Sequence, residues 1–385
     1  MHILIFPSWY PSNPEDISGI FFKEQAIALS NAGHFISVLK PQISVSKNPI
    51  DWSKTLNNRR FTIDQNVKTF SLNFINWSGM FLRNENSRVH SARKWFRKYI
   101  NKYGRPDVIH AHSTYWGGFL ANNISKEFDI PYIITEHASD IARCRSESKT
   151  FLKTIYNESS KVVCVSTFLM NVLNNFYEVD SKKTIVIPNL LSELFNENKI
   201  NKNDSHERFT FLNIAELSIK KRHHLLIEAF AKLVKLHANI ELRIGGFGIL
   251  RSQIENLIKH LNLETSVILL GKLDREKVLE EIAACNAFVL SSEIETFGVV
   301  LIEALSQGKP IIATDSGGPR DIVTESNGFL VSLNEEDLIE AMENMYMNYS
   351  QFDQNKIRED GLNKYNSRII ISRLESVYKE AINIR

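Results

Sequence analysis

Short runs of apolar and β-branched residues alternate along this chain with longer segments whose apolar positions recur at helical spacing. In the first half these runs predict strands at 2–6, 35–39, 108–111, 131–135, 161–165 and 184–187. In the second half they predict strands at 209–215, 240–244, 267–270, 287–290, 310–313 and 328–331. Alternation of strands with helices is typical of βαβ units, so the pattern predicts parallel sheets.

The intervening segments predict helices at 20–32, 166–176, 224–236, 249–260, 275–284, 299–306 and about 366–382. Between the two series, Pro188 and the polar stretch 192–208 predict a linker. A chain of 385 residues is longer than one core usually supports. We therefore expect an α/β protein of two doubly wound parallel-sheet domains, with the last helix returning to the first domain.

Composition excludes several classes of protein. Hydrophobic residues at 43% and charged residues at 23% are values of a globular chain, which excludes disorder. No apolar stretch approaches the roughly 20 residues that span a bilayer, and the opening MHILIF is too short for a signal peptide. Cys144, Cys164 and Cys285 form no CxxC pair, so we expect buried, inert thiols and a cytoplasmic protein.

Charge is distributed unevenly along the chain. Residues 1–190 hold 23 lysines and arginines against 15 acidic residues, whereas 191–385 hold 23 against 29. This asymmetry predicts an anionic partner for the first half, and it favours a phosphate-bearing lipid or membrane surface over nucleic acid.

Segment 87–103 carries much of this positive charge. Its apolar residues recur at helical spacing: Val89, Ala92, Phe96, Tyr99 and Tyr103. Its remaining positions are largely basic: Arg88, Arg93, Lys94, Arg97, Lys98 and Lys102. The pattern fits a surface helix packed on the core, and it equally fits a helix in peripheral contact with an anionic membrane.

The loops that follow the strands of the second half carry the candidate chemistry, because ligands of such sheets bind at the carboxyl ends of the strands. These loops are rich in glycines, cations and carboxylates: 216–222, 245–248, 271–274, 291–298 and 314–319. Gly298 precedes a predicted helix, whose first amides and positive dipole attract phosphate. Lys221 adds a full charge, and Glu303 fits an acceptor of ribose hydroxyls. These loops predict a phosphorylated ligand.

Three other kinds of site are not supported. Gly246-Phe247-Gly248 follows a strand, but Arg251 replaces the third glycine of GxGxxG, which argues against a nicotinamide site. No GxxxxGK[ST] loop occurs, so a P-loop nucleoside triphosphatase is excluded. The histidines at 110, 112, 223 and 224 have no accompanying ligands that complete a metal set, so no metal is expected.

Glu295 and Glu303 lie within SSxxETFGVVLIEALxxGxPIIATxxGG, which resembles the E-x7-E motif of retaining GT-B glycosyltransferases of family GT4. Other segments similar to this family are spread along the chain: 9–34, 106–112, 135–137, 165–166, 187–189 and 377–378. The resemblance implies a GT-B fold of two Rossmann-like domains facing a cleft. Residues 1–190 with about 366–385 would bind the acceptor, and 191–365 the nucleotide-sugar donor.

The resemblance also implies residue roles. Glu295, Lys221 and His137 are the implied catalytic residues, acting at the donor sugar and its leaving phosphate. The implied donor-binding residues are Gly19, Lys220, Gly246, Lys272, Leu273, Phe297, Gly298, Val299 and Glu303. One departure is Glu216, which stands where members commonly carry an arginine that neutralises the diphosphate; Lys220, Arg222 and Arg320 are candidates to replace that charge.

The implied function is retaining, metal-independent transfer of a hexose-type unit from a nucleotide diphosphate sugar to a glycan or lipid-linked glycan. The expected setting is surface polysaccharide synthesis, at the inner face of the membrane where a basic helix contacts lipid. No D-x-D motif occurs, which argues against the metal-dependent GT-A class, and no cofactor is expected. Two alternatives stay open: a sugar-nucleotide epimerase of the same architecture, and a binding subunit whose catalysis is weakened by Glu216.

Overall fold

The computed structural model describes residues 1–13, 16, 18–45, 61–64, 66–76, 85–138, 141, 149–196 and 208–383. The chain divides into two compact units. Unit 1 comprises Met1–Val165, Met170–Ile187 and Ile370–Arg385, and unit 2 comprises Ser166–Leu169 and Pro188–Ile369. Most of the predicted linker, 197–207, lies outside the described residues.

Unit 1 is built on a sheet that has eight strands in the described part of the chain. They are β1 (His2–Pro7), β2 (Phe35–Val45), β3 (Phe61–Asp64), β4 (Val67–Asn76), β5 (Val108–His112), β6 (Tyr132–Glu136), β7 (Lys161–Cys164) and β8 (Thr184–Val186). Their order is β3-β4-β2-β1-β5-β6-β7-β8, and only β3 is antiparallel to its neighbour. The six predicted strands are present, whereas β3 and β4 were not predicted from the sequence pattern.

Unit 2 is built on a parallel sheet, and each of its strands was predicted. They are β9 (Phe209–Ile214), β10 (Ile240–Gly245), β11 (Val267–Gly271), β12 (Ala287–Leu290), β13 (Ile311–Thr314) and β14 (Gly328–Val331). Their order is β11-β10-β9-β12-β13-β14. Strands β10 and β11 lie on one side of β9, and β12 lies on its other side, so the strand order reverses at β9. The reversal makes a crevice between the loops that follow these two strands, which is where open α/β sheets bind ligands.

Helices connect the strands in both units. They are α1 (Ile20–Asn31), α2 (Glu85–Tyr103), α3 (Phe119–Phe128), α4 (Lys149–Glu158), α5 (Thr167–Asn175), α6 (His223–Leu236), α7 (Arg251–His260), α8 (Arg275–Ala284), α9 (Val299–Ser306), α10 (Glu335–Met347), α11 (Gln354–Tyr365) and α12 (Ser367–Asn383). From Ile370 onward α12 belongs to unit 1, as predicted. Its Tyr378 hydroxyl lies 2.7 Å from Nδ1 of the buried His110 in β5.

Helix α2 packs its apolar side into unit 1. Val89, Ala92, Phe96 and Tyr99 are buried, and the Phe96 ring lies 4.7 Å from that of Phe128. The apolar residues that would insert into lipid are therefore part of the core, and only the charged side of the helix stays available to a membrane. Within the described residues, no helix has the length and apolar character needed to cross a bilayer.

Two of the cysteines are buried, as predicted. Burial raises the pKa of Cys285 to about 12 and that of Cys164 further, so both thiols stay protonated and unreactive at neutral pH. Cys144 lies outside the described residues.

Candidate active site

Three loops at the carboxyl edge of the unit 2 sheet are joined by backbone hydrogen bonds. The amide of Glu293 donates to the carbonyl of Lys220 at 2.7 Å. The amide of Glu295 donates to the carbonyl of Ser316 at 2.9 Å, and Gly318 donates back to Glu295 at 2.8 Å. The loops after β9, β12 and β13 therefore form one continuous surface, which brings together residues that are up to about a hundred positions apart.

Two predicted catalytic residues meet on this surface. The Lys221 ammonium forms an ion pair with Oε1 of Glu295, and the Ser292 hydroxyl donates to the same oxygen at 2.8 Å. The side chains of Lys221 and Glu295 are 16% and 14% exposed, so they are shielded but reachable from solvent. Ser292 is fixed in turn, because the Thr314 hydroxyl donates to its carbonyl at 2.6 Å.

The start of α9 lies directly after this loop. Gly298 precedes the helix with φ of 102°, a left-handed conformation that a side chain rarely adopts. Phe297 is buried, and a Cβ added to Gly318 would lie 2.5 Å from its backbone. Within the first turn, the amide of Leu301 donates to the carbonyl of Gly298 at 3.0 Å, whereas the amides of Val299 and Val300 have no acceptor inside the helix and form its positive end. This geometry suits the predicted phosphate contact.

Gly246 has a structural reason to be glycine. Its φ is 146°, and a Cβ would lie 1.9 Å from the carbonyl oxygen of Ala215. The amide of Leu217 donates to the carbonyl of Phe247 at 2.9 Å, which ties the loops after β9 and β10 together. Gly246 therefore permits close contact of two loops, and its contact with a donor stays a prediction.

Lys272 and Leu273 occupy the loop after β11. Leu273 rests on the strand end, since a Cβ at Gly245 would lie 2.6 Å from its Cδ1. The Lys272 ammonium is 5.6 Å from the centre of the Phe247 ring, which is 48% exposed. The family resemblance implies that these two residues flank the base of the donor through their main-chain groups, and this role stays a prediction.

Glu303 has a partner that the sequence analysis did not identify. Its carboxylate is 1% exposed and accepts a hydrogen bond of 2.6 Å from Nη1 of Arg275 in α8. The guanidinium also lies 4.9 Å from the ring centre of the buried Phe195. Arg275 belongs to no sequence motif, and its proximity to Glu303 follows only from the packing of α8 beside α9.

The structure separates the three cations that were candidates to compensate for Glu216. Arg320 pairs with Asp315, with Nη2 at 2.7 Å from Oδ2, and Arg222 donates to the carbonyl of Leu333 at 3.0 Å. Lys220 is half-buried and has no ion-pair partner in the described part of the chain. Glu216 itself is exposed, so its charge projects into solvent at this edge.

Unit 1 has its own group of predicted residues at the carboxyl edge of β1, β5 and β6. Gly19 precedes α1 with φ of 71°, and a Cβ there would lie 2.8 Å from Trp9. The ring of Phe22 in α1 lies 4.7 Å from that of His112 and 4.9 Å from that of His137. Gly19 and His137 therefore both lie next to the ring of Phe22.

The histidines of this group are neutral. Burial lowers the pKa of His110 and of His137 to about 3, and it lowers the pKa of His112 well below its usual value. Nδ1 of His112 and Nε2 of His137 are 3.2 Å apart, so one ring donates to the other. The described residues contain no cluster of histidine, cysteine or carboxylate side chains that could hold a metal.

Glu136, next to His137, is the centre of a buried hydrogen-bond network. Oε1 accepts from the amides of His137 and Ala138, each at 2.9 Å. Oε2 accepts from the amide of Thr114 at 2.9 Å, from its hydroxyl at 2.7 Å, and from the Tyr156 hydroxyl at 2.7 Å. Glu136 is fully buried, and it joins the ends of β5 and β6 to α4. In the sequence, Glu136 stands out only as part of the 135–137 segment that is similar to the family.

Two family profiles match consecutive parts of the chain. "Glycosyltransferase Family 4" matches residues 19–191, and "Glycosyl transferases group 1" matches residues 195–361. Among curated proteins, the chain is 25% identical over 291 residues to the N-acetyl-alpha-D-glucosaminyl L-malate synthase of Bacillus anthracis. That match covers 72% of this chain and 75% of the relative.

Solved structures share the fold over the whole length. Sucrose-phosphate synthase from Thermosynechococcus elongatus superposes with a TM-score of 0.81 at 19% identity, covering 100% of both chains. Anabaena HepE in complex with UDP-glucose gives 0.73 at 17% identity, covering 98% of this chain and 99% of that one. With both family profiles matched, this chain belongs to the GT4-type GT-B glycosyltransferases.

Proposed function

We propose that this chain is a retaining, metal-independent glycosyltransferase that moves a hexose-type unit from a nucleotide diphosphate sugar to a glycan or lipid-linked glycan. The observation that carries this proposal is the cluster of Lys221, Glu295 and Ser292, directly before the amino end of α9. It combines a cation, a carboxylate and helix amides at the crevice between β9 and β12.

The donor half of the reaction requires stabilisation of negative charge. Cleavage of the bond between the anomeric carbon and the diphosphate creates an oxocarbenium-like sugar and a charged leaving group. Lys221 and the first amides of α9 neutralise that charge without a metal. Glu295 accepts hydrogen bonds from the sugar hydroxyls, and Glu303 accepts them from the ribose. No cofactor takes part, because the nucleotide diphosphate sugar is itself the substrate.

The acceptor half of the reaction is assigned to unit 1. His137 is neutral and has one N–H; when its Nε2 accepts from Nδ1–H of His112, its own Nδ1–H can donate to the donor sugar or its leaving phosphate. Gly19 lets the backbone approach the diphosphate. A leaving phosphate oxygen takes the acceptor proton, so retention of the anomeric configuration needs no protein base. The complex of HepE with UDP-glucose makes UDP the first nucleotide to test.

The test is a thermal-shift screen with UDP, GDP and ADP, since a ligand that binds the folded protein raises its melting temperature. The sugar nucleotide of the best binder is then incubated with glycan acceptors in EDTA. We expect transfer with an α-linked donor giving an α-linked product, read from the coupling of the anomeric proton. An inverted product, or transfer that EDTA abolishes, would contradict the proposal.

The same assay tests the two alternatives. An epimerase changes the sugar of the donor with no acceptor present, whereas a transferase does little beyond slow hydrolysis. The exposed carboxylate of Glu216 motivates the second alternative, a binding subunit with weakened catalysis. If Lys221→Ala and Glu295→Ala leave cellular glycan output unchanged, catalysis by this chain is not required and that alternative is favoured.

A further inference from the structure

Arg275 lies between two parts of the proposed nucleoside site. Lys272 and Leu273, proposed to flank the base, precede it in the same loop. Asp274 caps α8, because its side chain accepts from the amide of Lys277 at 2.8 Å. Arg275 is therefore the first residue of a helix whose start is fixed, and its side chain reaches Glu303 in α9.

The guanidinium is held on two sides. Nη1 donates to Oε1 of Glu303 at 2.6 Å, and Cζ of the group lies 4.9 Å from the centre of the Phe195 ring. Phe195 is fully buried, and its carbonyl accepts from Nε2 of Gln307, just beyond the end of α9, at 3.1 Å. The arginine thus rests on a surface that is itself tied to the helix carrying Glu303.

Burial differs sharply between the two partners. Glu303 is 1% exposed, whereas Arg275 is 22% exposed. A carboxylate removed from water is costly unless it is paired, and removing one partner of a buried pair leaves the other charge uncompensated. Arginine suits this position because its planar group keeps its charge at all physiological pH values and fixes the direction of the hydrogen bond.

We propose that Arg275 is a positioning residue for recognition of the donor's ribose: it pairs with the buried carboxylate of Glu303 and holds it in the orientation that accepts the ribose hydroxyls. This inference rests on the proposed function, in which Glu303 contacts the nucleoside. Arg275 acts through Glu303, so its loss changes how the site discriminates among nucleosides, beyond any effect on stability.

The test measures binding of UDP, GDP and ADP, and of their 2′-deoxy and 3′-deoxy forms, by titration calorimetry. We expect the wild-type protein to bind the preferred ribonucleotide at least ~10-fold more tightly than its deoxy forms, the size of effect that one or two lost hydrogen bonds to a charged group produce. Arg275→Met lowers this ratio to within about 2-fold, and Arg275→Lys restores part of it by returning the charge. Lys277→Met, an exposed cation on the same helix, keeps the wild-type ratio.

The outcomes separate this inference from the proposed function. If no nucleoside diphosphate binds the wild-type protein, the proposed function is wrong. If one binds but its deoxy forms bind equally well, or if Glu303→Gln loses the discrimination while Arg275→Met keeps it, the role of Arg275 is wrong and the proposed function stands. Should Arg275→Met not fold, Arg275→Gln removes the charge and keeps a hydrogen-bond donor, so we expect a ratio below the wild-type value, and an unchanged ratio would overturn the role of Arg275.

Discussion

Glu295 and Lys221 form an ion pair at the place where a diphosphate is proposed to bind. The carboxylate therefore competes with phosphate for the ammonium. In Glu295→Gln the lysine keeps its charge and loses this competitor. We expect bare nucleoside diphosphate to bind about 3- to 10-fold more tightly, since a partly shielded pair of this kind is worth on the order of 1 kcal/mol. Sugar transfer should fall by roughly 100-fold, because Glu295 also contacts the sugar.

Calorimetric titration with the nucleotide and a transfer assay measure the two effects. Glu293→Gln is the matched control, since Glu293 lies in the same loop and is exposed. It should change neither quantity by more than about 2-fold. Weaker nucleotide binding in Glu295→Gln would mean that Glu295 supports the diphosphate site and does not compete with it.

Gly246 and Gly33 both have positive φ, and they differ in their surroundings. A Cβ at Gly246 would lie 1.9 Å from a carbonyl oxygen, whereas at Gly33 it would meet nothing within 4 Å. We expect Gly246→Ala to cost about 2–4 kcal/mol and Gly33→Ala about 1 kcal/mol. In a unit of this size, we expect the melting temperature to fall by roughly 4–16 °C in Gly246→Ala and by roughly 2–4 °C in Gly33→Ala. Equal shifts in the two variants would show that the loop at 246 relaxes without cost.

At this scale the sequence indicated candidate residues better than it indicated the contacts between them. Glu295 and Glu303 were identified because they share one short motif, and Lys221 because it follows a strand in the ligand loops. Arg275 was missed because it is 28 positions from Glu303 and no motif joins them. Glu136 was missed as a network centre because its partners come from three separate segments.

At the scale of elements, Glu136 joins the ends of β5 and β6 to α4. Each of its oxygens accepts from at least one backbone amide. Glutamine offers only one oxygen, so in Glu136→Gln an amide group must face a backbone N–H that cannot turn away. We expect a loss of about 1–3 kcal/mol, seen as a lower melting temperature of unit 1.

Because the amide of His137 is one of these donors, we also expect a lower kcat with little change in the KM for donor. Glu178→Gln is the control: Glu178 is an exposed carboxylate paired with Lys149 and Lys153, and such pairs contribute little. A melting temperature of Glu136→Gln equal to that of this control would refute the role of the network.

Helix α2 carries an exposed basic stripe of Lys94, Lys98 and Lys102 at four-residue spacing. Its arginines 93 and 97 are paired with Glu127, and its apolar side is buried in unit 1. Any contact with a membrane therefore depends on charge alone. We expect the protein to sediment with phosphatidylserine vesicles at 20 mM salt and to be released near 0.5 M salt. Each lysine near the membrane surface contributes about 1 kcal/mol of binding free energy.

Changing the three lysines of the stripe to glutamate should abolish this binding. As a control, three exposed lysines of unit 2 are changed to glutamate: Lys235, Lys259 and Lys277. This variant alters the net charge equally and should keep most of the vesicle binding. Equal losses in the two triple variants would mean that overall charge, and not this stripe, governs the attraction.

The elements themselves were largely predictable, because buried parallel strands are nearly continuous apolar runs; in β5 and β6 every residue is buried. Strand β4 was missed for the opposite reason. Its buried positions include Thr69 and Ser71, while Phe70 between them is only half-buried, so no apolar alternation marks it. Strand β3 is short and, within the part of the chain that the structure describes, pairs only with β4, so it was not predicted either.

At the scale of the whole molecule, buried histidines are distributed unevenly. His110, His112 and His137 lie in unit 1, whereas His223 lies in unit 2, where burial lowers its pKa to about 4. An exposed histidine titrates near ~6.5, so these groups contribute full stability above that pH. The contribution is lost as the pH falls from there toward the folded-state values of about 3 to 4, because the unfolded chain binds protons that the folded units exclude. Unit 1 should therefore be the more sensitive to acid.

The five tryptophans make this measurable, since the ranges of unit 2 contain none of them: Trp9, Trp95 and Trp116 lie in unit 1, and Trp52 and Trp77 lie outside the described residues. Their fluorescence reports the melting of unit 1 alone, and far-ultraviolet circular dichroism reports both units.

As the pH falls, the three buried histidines lower the free energy of unfolding of unit 1 by up to about 4 kcal/mol per pH unit. The one buried histidine of unit 2 lowers that of unit 2 by up to about 1.4 kcal/mol per pH unit. We expect the fluorescence midpoint to fall progressively below the later dichroism transition between pH 6.5 and 4.5. His110→Gln should reduce that separation by about a third, while His224→Gln, at an exposed site, leaves it unchanged. Midpoints that fall in parallel would show that groups shared by both units, and not these histidines, set the response to acid.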